Sequence, residues 1–542
     1  LFPNPLIGYS SAVIALLWAG CLTQFILLRK ALPNLGRVIS FFLACLTVFG
    51  AQRYNSYFGL SHLGLFPIAV PLISLILHDF SIKPSLKHYF YYTSTLTFMV
   101  VCGSAINLIQ SLIFSGGFFL ALAYFNGWHK NLALLRSWIG RFLLLNVSSG
   151  ISILILAAWA FYSIFVENQI SQYIRDPKYI SGSFLSPHIF SDLIDFKFIF
   201  QKFLAYFQPN FFSPWSSALG PQQIIGRDIG RNCFSILLPI VLLITLFHKS
   251  RNFWEFSFKC LFIGTFVYQE LLTLAPGLMD IFQYFRPVDT FSGVLHVYGI
   301  LGLGICLSRV RSDDLVISEK LSFLIRCVAL PLCFLYVILL LFALFSILAP
   351  ETLTNLFSNI WGLIIPYVNS ASLKNLMPDL IVENVRLFHE TMGLSYLFYY
   401  GSALGIMSLF SMRHGIDFMK WKGGTVFTAI IFANQVFLAW AIYPMNSNPP
   451  IWSAQYAKKK EVAQLFSPTD RIMRVGWPLC NTTPDYFDCI RKKFIDREHG
   501  PRRLIPGFMG TPPVFELSAG KTHTQREVNE FIKTLVKPTD FK

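Results

Sequence analysis

Two stretches of this chain concentrate the side chains that could handle a charged headgroup. The first runs Tyr268-Gln269-Glu270, Pro276-Gly277-Leu278-Met279-Asp280, then Phe285-Arg286-Pro287-Val288-Asp289. A guanidinium clamps phosphate through two parallel hydrogen bonds, and a nearby carboxylate can steer or deprotonate an acceptor hydroxyl. Arg286 is therefore a candidate donor-phosphate ligand, and Glu270, Asp280 and Asp289 are candidates for contacting substrate. The second stretch runs Pro209 to Trp215, then Gly226-Arg227-Asp228-Ile229-Gly230-Arg231. Arg227 and Arg231, after a Pro- and aromatic-rich segment, suit the same anionic group. Both stretches also have a structural reading: Asp289 capping a helix with Arg286 at a lipid headgroup, and arginines snorkelling from an aromatic belt. His296 reads as a packed core histidine.

The elements that must carry these residues are membrane helices. The chain is 54% hydrophobic and 13% charged, with mean hydropathy +0.54, values a soluble chain of this length would not tolerate. Twelve apolar stretches lie near 7–28, 38–54, 57–77, 89–103, 106–125, 138–166, 232–247, 254–274, 291–308, 327–348, 394–411 and 424–443, and Lys and Arg fall in alternate gaps between them. The basic gaps contain Arg29, Lys30 and Arg37; Lys83 and Lys87; Lys130, Arg136 and Arg141; Lys249, Arg251 and Lys259; Arg309 to Arg326; and Arg413 to Lys422. The positive-inside rule makes them cytoplasmic and puts the candidate residues on the outer face. The expected organisation is an all-α polytopic domain over 1–444, with outer loops near 167–231 and 349–393. A small extracytoplasmic C-terminal domain follows at 445–542. An outer N-terminus at Leu1 further suggests that something upstream has been removed, a cleaved signal peptide or, the favoured reading, a first helix with its outer loop.

The net charge of +16 follows from topology and contact with anionic lipids, and calls for no nucleic acid. Eight cysteines lie in or beside apolar stretches as small hydrophobes. Cys480 and Cys489 stand in the tail, where their spacing could close a disulfide loop in an oxidising compartment. No P-loop, dinucleotide fingerprint or HExxH is present, which argues against an ATP-driven pump, a nicotinamide enzyme or a zincin. No metal ligand set is assigned; a divalent cation is the one cofactor left open.

Taken in order, these features resemble the GT-C superfamily of polytopic glycosyltransferases, nearest to the YfhO-like bacterial membrane proteins. The resemblance rests on the outer segment from Pro209 to Pro239, the Phe285-Arg286-Pro287 element opening a helix, and tail segments Arg471-Ile472-Met473-Arg474-Val475 and Ile505 to Gly510. It implies transfer of a sugar from a polyprenyl-phosphate donor to an envelope acceptor, in a bacterial inner membrane with the tail outside. The family generally places a key acidic residue in the first outer loop, and no residue here can inherit that role, so the catalytic residue is unassigned. Two other classes stay open: a lipid or polysaccharide transporter or flippase, and a non-enzymatic envelope assembly subunit that docks a protein partner.

Overall fold

The computed structural model describes residues 5–49, 62–102, 105–158, 236–267, 292–311, 318–364, 366, 393–412, 415–420, 424–442, 471–472 and 515–516. In chain order the helices are α1 Pro5–Ala31, α2 Arg37–Phe49, α3 His62–Ile82, α4 Leu86–Cys102, α5 Ala105–Phe125, α6 Leu132–Leu156 and α7 Leu238–Phe247. Then follow α8 Phe253–Ser257, which runs on into a π-helical turn Phe258–Ile263, α9 Ser292–Arg311, α10 Glu319–Leu348, α11 Pro350–Ile364, α12 Gly393–Ser411, α13 Gly415–Lys420 and α14 Thr425–Ile442. Each of the twelve apolar stretches overlaps one of these helices. Among the described residues five, in α1, α5, α6, α9 and α10, are long and apolar enough to cross a membrane. In the tail, the described residues are a short parallel pairing of Arg471–Ile472 with Phe515–Glu516. Cys480 and Cys489 lie outside the described residues.

Polar residues at the gaps set where helices begin. Asn131 accepts from Leu134 N at 3.1 Å and opens α6. Asn252 does the same for Glu255 N at 3.0 Å in α8, and Ser318 for Leu321 N at 3.2 Å in α10. These side chains satisfy backbone donors that the first turn leaves without partners. The Ser318 cap starts α10 at Glu319, two turns before the apolar run, so Lys320 and Arg326 are helical rather than in a loop. Beyond α10, the expected outer loop opens with α11, an amphipathic helix whose Phe357 ring packs on Phe342 of α10.

The centre of the bundle is α9. Its apolar window is 94% buried, against 17% for α6, so α9 is wrapped by protein while α6 turns most of its surface outward. It packs against α1, α2, α3, the π turn, α7 and α13. Glycines permit the closest approaches. A Cβ on Gly302 would lie 2.4 Å from the Phe258 ring, and one on Gly304 would lie 2.9 Å from Leu32 and 3.2 Å from Leu28. Small residues at such crossings are what lets membrane helices pack by dispersion alone. A second group, α10, α12 and α14, joins the first through α14 on α2 and α7 on α10.

The six basic gaps meet at one end of this bundle. Lys30 pairs with Asp79, the His78 ring stacks on Trp254 at 4.7 Å, and Phe80 meets Trp138 at 6.2 Å. Arg309 binds Glu255. The last gap joins them where the backbone at Gly424 approaches Leu307 and Ile39. The charge alternation along the chain is thus converted into a basic end and an opposite, far end.

Candidate functional site

The sequence expectation puts the headgroup candidates at the far end, since Asp289 stands three residues before α9 begins at Ser292. Arg286, Arg227, Arg231, Glu270, Asp280 and Asp289 themselves all lie outside the described residues. The described residues resume at the start of α9.

Directly under the entry of α9, His296 is fully buried. Its Nε2 reaches the carbonyls of Leu46 at 3.2 Å and Thr47 at 3.1 Å. Those carbonyls belong to the last described turn of α2, so His296 ties α9 to that helix. This is the packed-core role expected of His296. Two residues along, Tyr298 Oη meets Ser74 Oγ at 2.9 Å, while Gln24 Nε2 donates to the Val297 carbonyl at 3.2 Å.

Not every polar group at this level is so engaged. Among the described residues, Asn107 Nδ2 and Oδ1, Gln110 Oε1, Ser111 Oγ, Thr47 Oγ1 and Gln24 Oε1 are buried with no hydrogen-bond partner. Burying one such group unsatisfied costs about 1–3 kcal/mol, and water is scarce at membrane depth. Three of them sit on the first turns of α5, at Asn107, Gln110 and Ser111. Apolar residues would have been cheaper there, so the positions call for a partner that comes from outside the described bundle.

Below them opens a groove of about 560 Å³ between α5 and α8. Ile113, Gly117, Leu120 and Tyr124 line it from α5, Cys260 and Gly264 from the π turn and the residue after it, and Val294 from α9. The lining is almost wholly apolar. Leu120 and Tyr124 are about two-thirds exposed, at 68% and 63%, so the groove opens sideways rather than into a sealed core. Nothing stands within 4 Å of where a Cβ on Gly264 would be. On the basic side Tyr124 is stacked on His129 at 4.9 Å and on Phe256 at 5.6 Å, closing that end.

No family model, curated protein or solved structure matches this chain. Its chemistry has to be argued from its own residues.

At the basic end the geometry is of another kind. Arg309, 6% exposed, faces Glu255, 7% exposed. Arg309 Nε donates to Glu255 Oε1 at 3.1 Å, and Nη2 donates to Glu255 Oε2 at 2.5 Å and to the Lys249 carbonyl at 2.7 Å. The Arg251 amide adds a fourth bond to Oε2 at 2.8 Å. This is a bidentate, fully bonded ion pair that ties α8 to α9. Among the described residues no three His, Cys, Asp or Glu gather as metal ligands.

Sequence reasoning missed the polar face of α5, Gln24 and the Arg309–Glu255 pair. The signal for the first two was present: amide side chains inside apolar helices are costly enough to demand a reason. Sequence gave no cue to the pair, whose partners are 54 residues apart.

Proposed function

We propose that this is a twelve-span, GT-C-like membrane glycosyltransferase that takes a sugar from a polyprenyl-phosphate donor and passes it to an extracytoplasmic acceptor. In this reading the basic end is cytoplasmic, and the far end, the long loops and the tail face the outside of a bacterial inner membrane. The observation that carries it is the apolar groove between α5 and α8. It opens toward lipid, and it rises to Val294, a few residues beyond Arg286 and Asp289. An isoprenoid chain fits such a groove by burial of apolar surface alone, and the arginines before α9 and α7 would hold the phosphate. Transfer breaks the bond from sugar C1 to a phosphate oxygen and forms one from C1 to the acceptor oxygen. The hydroxyl proton passes to the departing lipid phosphate, directly or through water; Arg286, with Arg227 and Arg231, would meet the charge that grows on that phosphate. Glu270, Asp280 and Asp289 would orient the acceptor.

The π-helical turn Phe258–Ile263 beside the groove favours a second reading, a lipid or polysaccharide transporter or flippase, because transporters build their sites where helices depart from regular geometry. One experiment separates them. The protein is reconstituted in liposomes with a photoreactive polyprenyl phosphate and, separately, with a polyprenyl-phosphate hexose. A glycosyltransferase labels in the groove, loses the label in Gly264→Phe and in Arg286→Ala, and releases lipid phosphate when an acceptor is supplied. A flippase labels equally but moves the lipid between leaflets without cleaving it. An envelope assembly subunit does neither. Cysteine labelling at position 191 from the cytoplasmic side would reverse the orientation.

A further inference from the structure

We infer that Gln110, flanked by Asn107 and Ser111, binds the neutral, hydroxyl-bearing head of the lipid whose chain lies in the α5–α8 groove. This rests on the lipid-linked donor reading above and assigns the part of the donor that the arginines do not explain.

The argument begins with helical spacing. Residues three, four and seven apart share a face. Gln110 stands three and four residues before Ile113 and Phe114 and seven before Gly117, all of which line the groove. Its side chain therefore continues the groove's stripe one turn toward the far end, with Asn107 and Ser111 beside it. All three residues are 2% exposed or less, and each leaves at least one polar atom without a hydrogen-bond partner among the described residues. The groove's lining on α5 begins at Ile113, one turn past the buried polar side chains, so an apolar channel and an unsatisfied polar turn adjoin in the order of an amphiphile, chain below and head above.

The residue types narrow the head. Two carboxamides and one hydroxyl can each donate and accept, which matches the alternating demands of sugar hydroxyls. They carry no charge, so they offer no particular advantage to a phosphate, which is better served by a guanidinium. The competing occupant is water, or a residue of this chain outside the described ones. Either would satisfy the same atoms but would not distinguish one lipid from another.

The test uses the full chain in nanodiscs and two probes with the same short polyprenyl chain, one a phosphate and one a phosphate hexose. The wild type is expected to bind the hexose-bearing lipid at least tenfold more tightly. Gln110→Leu should abolish that preference while leaving affinity for the bare lipid phosphate unchanged. Asn107→Leu provides the same readout should Gln110→Leu not assemble. Gly264→Phe should weaken both probes equally. A wild type that binds both probes alike, or Leu variants that keep the preference, overturns this assignment and leaves the donor reading standing. A wild type that binds neither probe removes the donor reading and this assignment together.

Discussion

The two ends of α9 handle buried polarity in opposite ways. At the basic end Arg309 and Glu255 are removed from solvent, yet four hydrogen bonds account for the pair. At the far end neutral side chains on α5 are just as deeply buried and leave four polar atoms without a partner among the described residues. The cost of burying a charge exceeds that of burying an amide many times over, and at this ion pair the fold completes the more expensive groups. Completion is a property of the pair and not of the whole basic end, where Arg326 Nε is also buried without a partner among the described residues.

The sharpest way to break this contrast is at the ion pair. Glu255→Ala strands a buried guanidinium and should cost about 3–5 kcal/mol, read as a fall in the unfolding midpoint in detergent. Glu255→Gln, which keeps the shape and some hydrogen bonds, should cost less. If Glu255→Ala unfolds like the wild type, the basic end is not the lock described here. Gly302→Ala comes next. Its Cβ would collide with the Phe258 ring, and overpacking of this kind costs roughly 1–3 kcal/mol. Pairing it with Phe258→Leu should restore most of the loss, and a double-mutant cycle measures how much. Asn252→Ala removes the cap on α8 and should cost about 1 kcal/mol. The smallest effect is expected at the far end. Asn107→Leu replaces unsatisfied polar atoms by an apolar group of similar size, so stability should be unchanged or raised. A large loss at Asn107 would mean that its amide is already satisfied in the fold, and the contrast between the two ends would disappear.

Much of the scaffold was legible because its information is local. Apolar runs mark where helices lie, and Lys and Arg mark which gaps share an end; Lys30 with Asp79 and Arg309 with Glu255 then meet there. What was not legible depends on which faces turn toward one another. Gln24, Asn107 and Gln110 are equally polar in the sequence. Only packing shows that Gln24 finds the Val297 carbonyl, while Asn107 finds nothing among the described residues. The amphipathic α11 was read as loop because its apolar residues recur at helical spacing among polar ones, too sparse to register as a continuous apolar run. Of the site chosen from sequence, every arginine and carboxylate lies outside the described residues; the groove and the polar turn are formed by residues that choice did not include.

The near-complete enclosure of α9 also imposes an order of manufacture. Chains are made from the N-terminus, so α1 and α3 are in place long before α9 is synthesised. Until then Gln24 lacks the Val297 carbonyl and Ser74 lacks Tyr298. The nascent bundle therefore passes through a stage with a vacant central slot lined by polar side chains. A ribosome stalled before residue 292 would leave that slot facing lipid, the kind of surface that membrane chaperones and intramembrane proteases act on. Arrival of α9 fills the slot and gives Gln24 and Ser74 their partners on that helix.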